Sequence, residues 1–515
     1  MTDSIVNRIV GTPPAPGHHL RIARLGGGPT VELTEVYAAA CRVAAGLRRL
    51  GLKPGDRIGI LAANCLEWVL LDLAALRCGV VTAGFEPGKF APDPALLDRY
   101  DLALLFTDRP EAAGPEAGTE AAGPDPRLRP IDEVNALAAD TGAVPEPVGY
   151  PPDAITTIKF TSGSTGEPKG LGASVGSIDS SLRAVQQMFT HGPGDDIFVF
   201  LPLSLLQQRY WIYSALAYGH DVTLSSYEAA FATMRRVRPT VVMGVPGFFE
   251  AAKRHIESEA ARGGLDLAEA GRRLFGDRIR YLWTGSAPAS SAMLRFFTDN
   301  ELPIYEGYGL NETCIVTKNH PGASREGSVG RVLPGKRVLI GPDGVVSIAA
   351  DHPVNVRYEY AAPGETERVF GPGGLVRTGD LGYLDEDGYL FILGRADDVI
   401  VLDNGKKVIV RPIEERLRAS PEIEQCVVFC PTQTHLVAVV SPARRPADAE
   451  AIAAHLAEAN EVLAPDERIR GVVVAETPFS IGNGLLTSQY KPRRKEIFNT
   501  YRSEIMAIGE GVHVC

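Results

Sequence analysis

The stretch Thr161-Ser162-Gly163-Ser164-Thr165-Gly166-Glu167-Pro168-Lys169-Gly170 decides how the rest of this chain reads. Four of its ten residues are glycine or proline, four carry hydroxyls and one is lysine. Small residues let a backbone close around a polyanion, while hydroxyls, free N–H groups and an ammonium supply donors and charge. The preceding Ala154-Ile155-Thr156-Thr157-Ile158-Lys159-Phe160 alternates like a strand, so the loop sits at a strand end. It is not a Walker A loop, which needs glycine before its lysine and Ser or Thr after it; here Pro168 precedes Lys169 and Gly170 follows.

Upstream, residues 33–50 space their apolar side chains at helical period, and Gly51 stops that helix. Arg57–Leu61 reads as a buried strand, 66–79 as a second apolar helix and Gly79–Ala83 as a second strand. Such alternation implies a parallel sheet covered on both faces. Residues 108–152, rich in Pro, Ala, Gly and Glu, read as a mobile surface excursion with a short helix around 131–139. Alternation resumes at the glycine-rich loop and runs to about 345. Residues 346–394 look β-rich, with turns at Gly373-Gly374 and Asp385–Gly388. After Arg395 a compact tail follows: strand 398–402, turn 403–405, helix 412–419, strands near 425–430 and 435–440, helix 447–459 and strand 471–475. The expected division is 1–395 and 396–515.

A net charge of −11 argues against general nucleic-acid affinity, which rewards clustered Lys and Arg. The short basic run 491–495 reads as a solvated helix end. The seven cysteines (Cys41, Cys65, Cys78, Cys314, Cys426, Cys430 and Cys515) are scattered, and most lie in apolar stretches. Reduced, buried thiols and a cytoplasmic protein are the expectation, with no zinc site. The N-terminus lacks the apolar core of a signal peptide, and no run approaches the length of a spanning helix.

Three further clusters carry chemistry. Tyr305-Glu306-Gly307-Tyr308-Gly309-Leu310-Asn311-Glu312 joins a tight glycine turn to aromatics and an acid, and an acid beside a triphosphate most economically holds Mg²⁺. Arg377-Thr378-Gly379-Asp380-Leu381-Gly382-Tyr383 holds a carboxylate on a glycine turn, suited to paired ribose hydroxyls. Gly394-Arg395-Ala396-Asp397-Asp398 opens the small C-terminal part, and Leu486-Thr487-Ser488-Gln489-Tyr490-Lys491-Pro492 places a lysine near the end. In that order and together, these segments resemble the adenylate-forming (AMP-binding) superfamily of acyl-CoA synthetases, luciferases and peptide-synthetase adenylation domains. The wording of 200–211, 243–250 and 486–494 is most similar to the long-chain fatty acyl-CoA synthetases, although this chain is shorter than typical members.

The resemblance implies an α/β protein: a large N-terminal domain of helix-covered parallel sheets with a β-rich part, and a small mobile α+β C-terminal domain. It implies an enzyme that uses ATP and Mg²⁺ to adenylate an acid, releases pyrophosphate, and passes the product to a thiol such as that of CoA. By the same resemblance Thr161, Ser162, Gly163, Thr165 and Lys169 wrap the phosphates. Gly285, Ser286, Ala287 and Pro288, with Tyr308, line the adenine and substrate floor. Glu312 binds Mg²⁺, Asp380 accepts the ribose hydroxyls, Arg395 supports ribose and phosphate, Asp397 is the hinge, and Lys491 bridges the attacking oxyanion and the α-phosphate.

The departures surround the acid pocket. Leu205 stands where the branch usually carries His, Gln208 where an acid precedes Arg209, and Asn311 where Thr or Ser precedes the magnesium glutamate. Phe248, Phe249, Trp283 and Tyr305 are expected to add apolar walls. Among relatives of this kind the acceptor is CoA, a carrier protein or an amine, and a few activate nitrite to diazotise an aryl amine. A hydrolase built on Gly172-Ala173-Ser174-Val175-Gly176 and a non-catalytic nucleotide binder are the rival classes.

Overall fold

The structure is a computed structural model that describes residues 4–109, 125–139, 141–162, 168–487 and 490–509. Two large sheets dominate. A six-stranded sheet orders Leu128–Pro130, Leu104–Thr107, Arg57–Leu61, Val81–Phe85, Ile155–Ser162 and Pro168–Ser174. All neighbours are parallel except the last two strands, which form an antiparallel hairpin. A nine-stranded sheet has a parallel centre running from His19–Ile22 through Asp221–Leu224, Asp196–Val199, Val241–Gly244 and Tyr281–Thr284 to Ile304–Leu310. Its central strands are apolar and buried along their whole length, as a sheet covered by helices on both faces requires.

The helix expected over 33–50 is Leu33–Arg49, and that expected over 66–79 is Leu66–Cys78. Gly79 caps the second at φ 75°, so the next strand starts at Val81, two residues later than its composition suggests. Residues 110–124 and 140 of the expected excursion lie outside the described residues. Of the remainder, Leu128–Pro130 is an edge strand of the six-stranded sheet, a correction to the surface-excursion reading. Glu133–Ala138 is the short helix.

A four-stranded antiparallel sheet follows, made of Lys336–Ile340, Val345–Ala350, Val376–Leu384 and Leu390–Arg395. Beyond Arg395 lie a two-stranded ribbon, Val399–Val401 with Lys407–Ile409, and a three-stranded sheet of Ile423–Phe429, Leu436–Pro442 and Ile469–Val474. Helices Val410–Leu417 and Ala449–Val462 accompany them. The chain is thus α/β in its larger part with a small α+β part at the C-terminal end. Helices Arg494–Thr500 and Arg502–Gly509, which the sequence reading did not include, pack Ile497 and Ile505 into a small apolar cluster with Val437 and Val439. Among the described residues no helix is long and apolar enough to cross a membrane.

One polar knot ties the two large sheets. Arg209 is fully buried on helix Leu206–Tyr218, which connects strands of the nine-stranded sheet. Its Nη1 donates to Asp72 Oδ1 at 3.0 Å, Thr157 Oγ1 at 2.7 Å and Thr82 Oγ1 at 3.2 Å, all on the six-stranded side. Tyr213, one turn on, donates to Asp72 Oδ2 at 2.5 Å, and the guanidinium lies 5.1 Å over the Trp68 ring. Losing one member of so buried a pair typically costs about 3–5 kcal/mol.

Behind the parallel centre, His191 is buried with its Nε2 2.7 Å from the Tyr281 hydroxyl. Burial, and then the neighbouring His220, push the imidazole down to about 3. Its folded pKa lies below the unfolded value of about 6.5. Its contribution to stability is therefore fully present above that value and lost as pH falls, because the unfolded chain takes up the proton first. Between pH 7 and pH 5 this amounts to about 2 kcal/mol. In denaturant titrations at the two pH values, the stability gap between wild type and His191→Gln should narrow by about that amount; a constant gap would refute it.

Candidate active site

The glycine-rich segment bridges the antiparallel hairpin of the six-stranded sheet. Thr161 and Ser162 end the strand Ile155–Ser162, but their side chains, and Gly163 and Thr165 entirely, lie outside the described residues. Lys169 sits on the return strand Pro168–Ser174. Its Nζ lies 2.7 Å from Glu365 Oε1, a pair that is nearly buried on both sides, and 5.2 Å from the Tyr358 ring centroid. Tyr358 donates its hydroxyl to Glu312 Oε1 at 2.7 Å. Burial, then the Glu312 carboxylate, push the Tyr358 phenol up. Lys169 and Glu312, separate motifs in the sequence, thus meet through Tyr358. Neither Tyr358 nor Glu365 belongs to a recognisable motif, and no local sequence signal marks them.

A second knot gathers three more predicted residues. Tyr308 donates to Asp380 Oδ2 at 2.6 Å, and Arg395 Nη1 donates to Asp380 Oδ1 at 3.1 Å and to the Thr378 carbonyl at 2.8 Å. The Asp380 N–H in turn donates to Thr378 Oγ1. Gly379 makes this possible. Its φ is +74°, and a Cβ there would stand 2.8 Å from an Arg395 guanidinium nitrogen. Burial, then Asp380, raise the Tyr308 phenol.

Lys491 faces this knot from the C-terminal part. Its loop is closed by Lys491 N–H to Thr487 Oγ1 and by Thr487 N–H to the Lys491 carbonyl. The adjacent Tyr490 stacks on Tyr227 with centroids 5.7 Å apart and rests against Gly247, where a Cβ would lie 3.1 Å from its own. Lys491 is exposed to solvent, and partial desolvation by the protein around it pushes its ammonium below the usual lysine range, with Asp380 opposing and Arg395 adding to the shift. Asp397 lies in the short turn Ala396–Asp398 between the four-stranded sheet and the ribbon, 87% exposed and 3.7 Å from Arg395 Nη2.

Between helices Val175–Phe189 and Leu206–Tyr218 and the strand ends Met243 and Trp283 opens a largely apolar cavity of about 640 Å³, its mouth included. Gly285, Ser286 and Tyr308 line one side, while Ala287 and Pro288 continue the loop leading to helix Ser291–Asp299. Trp283 lines the cavity, whereas Leu205, Gln208, Phe248, Phe249, Tyr305 and Asn311 are not among its lining residues. Helix Leu206–Tyr218 presents Gln207, Tyr210, Trp211 and Ser214 to the cavity, a face of helical spacing that leaves out Gln208. Gln208 is buried with its Nε2 3.5 Å from the Met243 sulfur. Leu205 caps that helix, and Asn311 is exposed at a turn. Phe248 and Phe249 are core, Phe248 tilted against Phe200 with centroids 4.3 Å apart. Tyr305 packs beside Phe189 and Tyr281. The helical period around Trp211 was the signal from which Gln207 and Ser214 were readable.

Ser174 does stand between a strand and a helix, Pro168–Ser174 and Val175–Phe189, a context the sequence reading did not find. Its hydroxyl is consumed structurally: it accepts from Ser177 N–H as an N-cap and donates to the Pro353 carbonyl at 2.7 Å. Its backbone is unstrained at φ −76°, unlike a nucleophile elbow. Among the described residues no group of three or more His, Cys, Asp or Glu could hold a metal by itself. A lone Glu312 nevertheless fits an Mg²⁺ ion, which commonly takes one or two carboxylates and completes its shell with phosphates and water.

A helix-covered parallel α/β fold with Tyr308, Asp380, Arg395 and Lys491 gathered at the junction with a small C-terminal part defines an adenylate-forming ligase. The AMP-binding enzyme model matches residues 16–345, and the AMP-binding enzyme C-terminal domain model matches 397–511. The chain belongs to the AMP-binding enzyme family, as an AMP-forming ligase of acyl-CoA synthetase type. It is 28% identical to long-chain-fatty-acid–CoA ligase FadD15 of Mycobacterium bovis, over 94% of this chain and 93% of that protein. Its fold matches ATP-bound MatB of Rhodopseudomonas palustris with a TM-score of 0.79 at 20% identity, covering 98% of this chain and 100% of that one. O-succinylbenzoate coenzyme A synthetase (MenE) of Bacillus subtilis, in complex with AMP, matches with a TM-score of 0.75 at 22% identity, covering 96% and 98%.

The Lys169–Glu365 pair gives a direct test of the site's architecture. Glu365→Ala leaves a nearly buried ammonium without its carboxylate, and urea unfolding should show a loss of about 3 kcal/mol. A loss below about 1 kcal/mol, the size of a surface pair, would show that the two charges do not depend on each other.

Proposed function

We propose that the enzyme adenylates an acid with Mg·ATP, releases pyrophosphate, and then transfers the activated group to a thiol, with CoA as the first choice. The observation that carries this reading is Lys491, held in the same cleft as Asp380, Arg395 and Tyr308, close enough for the first two to act on its charge. Acid and ATP repel each other as anions, so the site must neutralise the triphosphate and align an acid oxygen with the α-phosphorus. In this reading Lys169 and the glycine-rich segment bind the outer phosphates, Asp380 takes the ribose hydroxyls, and Arg395 supports ribose and phosphate. Glu312 would hold Mg²⁺, which supplies charge neutralisation at the phosphates. Lys491 places its ammonium between the acid oxygen and the α-phosphate. No general base is required, because a carboxylic acid is already ionised at neutral pH.

The units are 1–395 and 396–515 in this reading, with Asp397 as the hinge. Its exposure and its position in a short turn between two sheets suit a residue that changes backbone conformation without disturbing packing. Rotation there would withdraw Lys491 and open the adenylate to the thiol. The ligase relatives support CoA over a carrier protein, and over nitrite activation with transfer to an amine.

Lys491→Ala should slow adenylate formation by two to three orders of magnitude, on the order of 3–4 kcal/mol, with ATP affinity largely kept. Unchanged adenylate yield in single turnover would remove Lys491 from the mechanism. Asp397→Pro should spare adenylation and block thioester formation. Equal loss of both half-reactions would refute the hinge. Pyrophosphate release driven by nitrite, with none from any carboxylate, would overturn acyl activation.

A further inference from the structure

We infer that the cavity between helices Val175–Phe189 and Leu206–Tyr218 selects an aromatic acid carrying a hydroxyl or amino substituent, with Ser214 and Ser181 as its specificity-determining residues. This rests on the adenylation reading above for the fate of the carboxylate. It goes beyond that reading in naming the acid.

Shape is the first argument. Trp211 and Trp283 both line the cavity, nearly perpendicular at 83° with centroids 5.5 Å apart. Trp211 is pinned by its Nε1 donating to the Met243 sulfur at 3.2 Å. Trp283 is pinned by the buried Lys318, whose Nζ stands 3.7 Å from its ring centroid and donates to the Tyr305 carbonyl at 2.6 Å. Behind the two indoles there is no slack. Phe189 lies 5.6 Å from Trp283 and stacks on Tyr281 at 4.2 Å, while His191 abuts Trp211 at 5.6 Å. All three residues of this outer layer are buried. An extended alkyl chain needs a channel through this wall, and packed rings fill the space. A flat ring meets two indole planes and the Met243 thioether without displacing them.

Polarity is the second argument. Besides Gln207, Ser286 and the phenols of Tyr210 and Tyr308, two serines of the lining, Ser181 and Ser214, are almost completely buried. Among the described residues Ser181 Oγ, in the cavity wall, has no hydrogen-bond partner. A buried, unpaired hydroxyl is destabilising until a partner reaches it. Ser214 is committed in direction. His220 Nδ1 lies 2.9 Å from the Asp221 carbonyl, which can only accept, so that nitrogen carries the proton. His220 Nε2, 2.9 Å from Ser214 Oγ, is then an acceptor, and the Ser214 hydroxyl must donate to it. Burial holds His220 down to about 4, so the imidazole stays neutral and the arrangement persists across physiological pH. With its proton committed to His220, Ser214 in the cavity wall can only accept from a ligand, which suits a phenolic O–H or an aryl N–H. Ser181, with nothing bound, can donate or accept. A fatty acid would leave Ser181 unpaired and bring no donor to Ser214.

The test uses the full-length enzyme with Mg·ATP and a panel of benzoate, hydroxybenzoates, aminobenzoates, octanoate and palmitate. Pyrophosphate release is followed together with quenching of tryptophan fluorescence, since two of the chain's three tryptophans line the cavity. A hydroxy- or aminobenzoate should exceed benzoate in kcat/KM by about tenfold or more, and Ser214→Ala should reduce that ratio toward one. Ser181→Ala, which breaks no hydrogen bond within the protein, serves as the second variant and should shrink the same ratio. Octanoate or palmitate outrunning every aryl acid overturns the inference and leaves adenylation standing. A selectivity ratio untouched in both serine variants overturns the assignment of the hydroxyls. Fluorescence quenching by substituted benzoates without pyrophosphate from any acid supports the pocket and overturns adenylation instead.

Discussion

Arg209 is the tie on which the active site depends. It sits on the helix that belongs to the nine-stranded sheet and bonds to Asp72, Thr82 and Thr157 on the six-stranded side. A guanidinium with no exposure must take its partners inside the protein, here through Nη1, while Nε and Nη2 have no hydrogen-bond partner among the described residues. That demand fixes the rotation of helix Leu206–Tyr218. The same rotation turns Gln207, Tyr210, Trp211 and Ser214 into the cavity. The shape of the pocket is thus a consequence of a polar contact on the opposite face of one helix.

The nucleotide side is organised differently, by long-range convergence of loops and strand ends. Tyr308, Asp380 and Arg395 come from three elements and meet in one hydrogen-bonded knot, while Lys169 and Glu312 are joined through Tyr358. In each case a charged group already has a counter-charge or a phenol before any ligand is present. Groups paired in this way need little reorganisation when a ligand arrives. Lys491 is the exception. It reaches the knot from the C-terminal part and is placed by a turn whose Tyr490 leans on Tyr227 and Gly247. Across the same junction Arg254 pairs with Glu424 at 3.3 Å.

The chemistry-bearing residues were legible because polyanion binding has a compositional signature: glycines, hydroxyls and a lysine at a strand end, and carboxylates on glycine turns. The alternation of buried strands and helices was legible for the same kind of local reason. Pairing across the sheets was not. Leu128–Pro130 looked like part of a featureless excursion because an edge strand of three residues has no period to read. Glu365 and Tyr358 were invisible because an ion pair and a phenol bridge are properties of distance between remote segments.

By itself, then, the sequence determined the fold class, the family and the order of the glycine-rich, carboxylate and lysine motifs. Local composition and period set these features, and both survive any arrangement of the elements. Only the tertiary structure decided which side chains wall the acid pocket. It turned Phe248 and Gln208 into the core and brought Ser181 and Ser214 into the cavity. The physical reason is that a helix face acquires meaning only when another element fixes its rotation. Here that element is the buried pairing of Arg209 with Asp72 on the far side of the same helix.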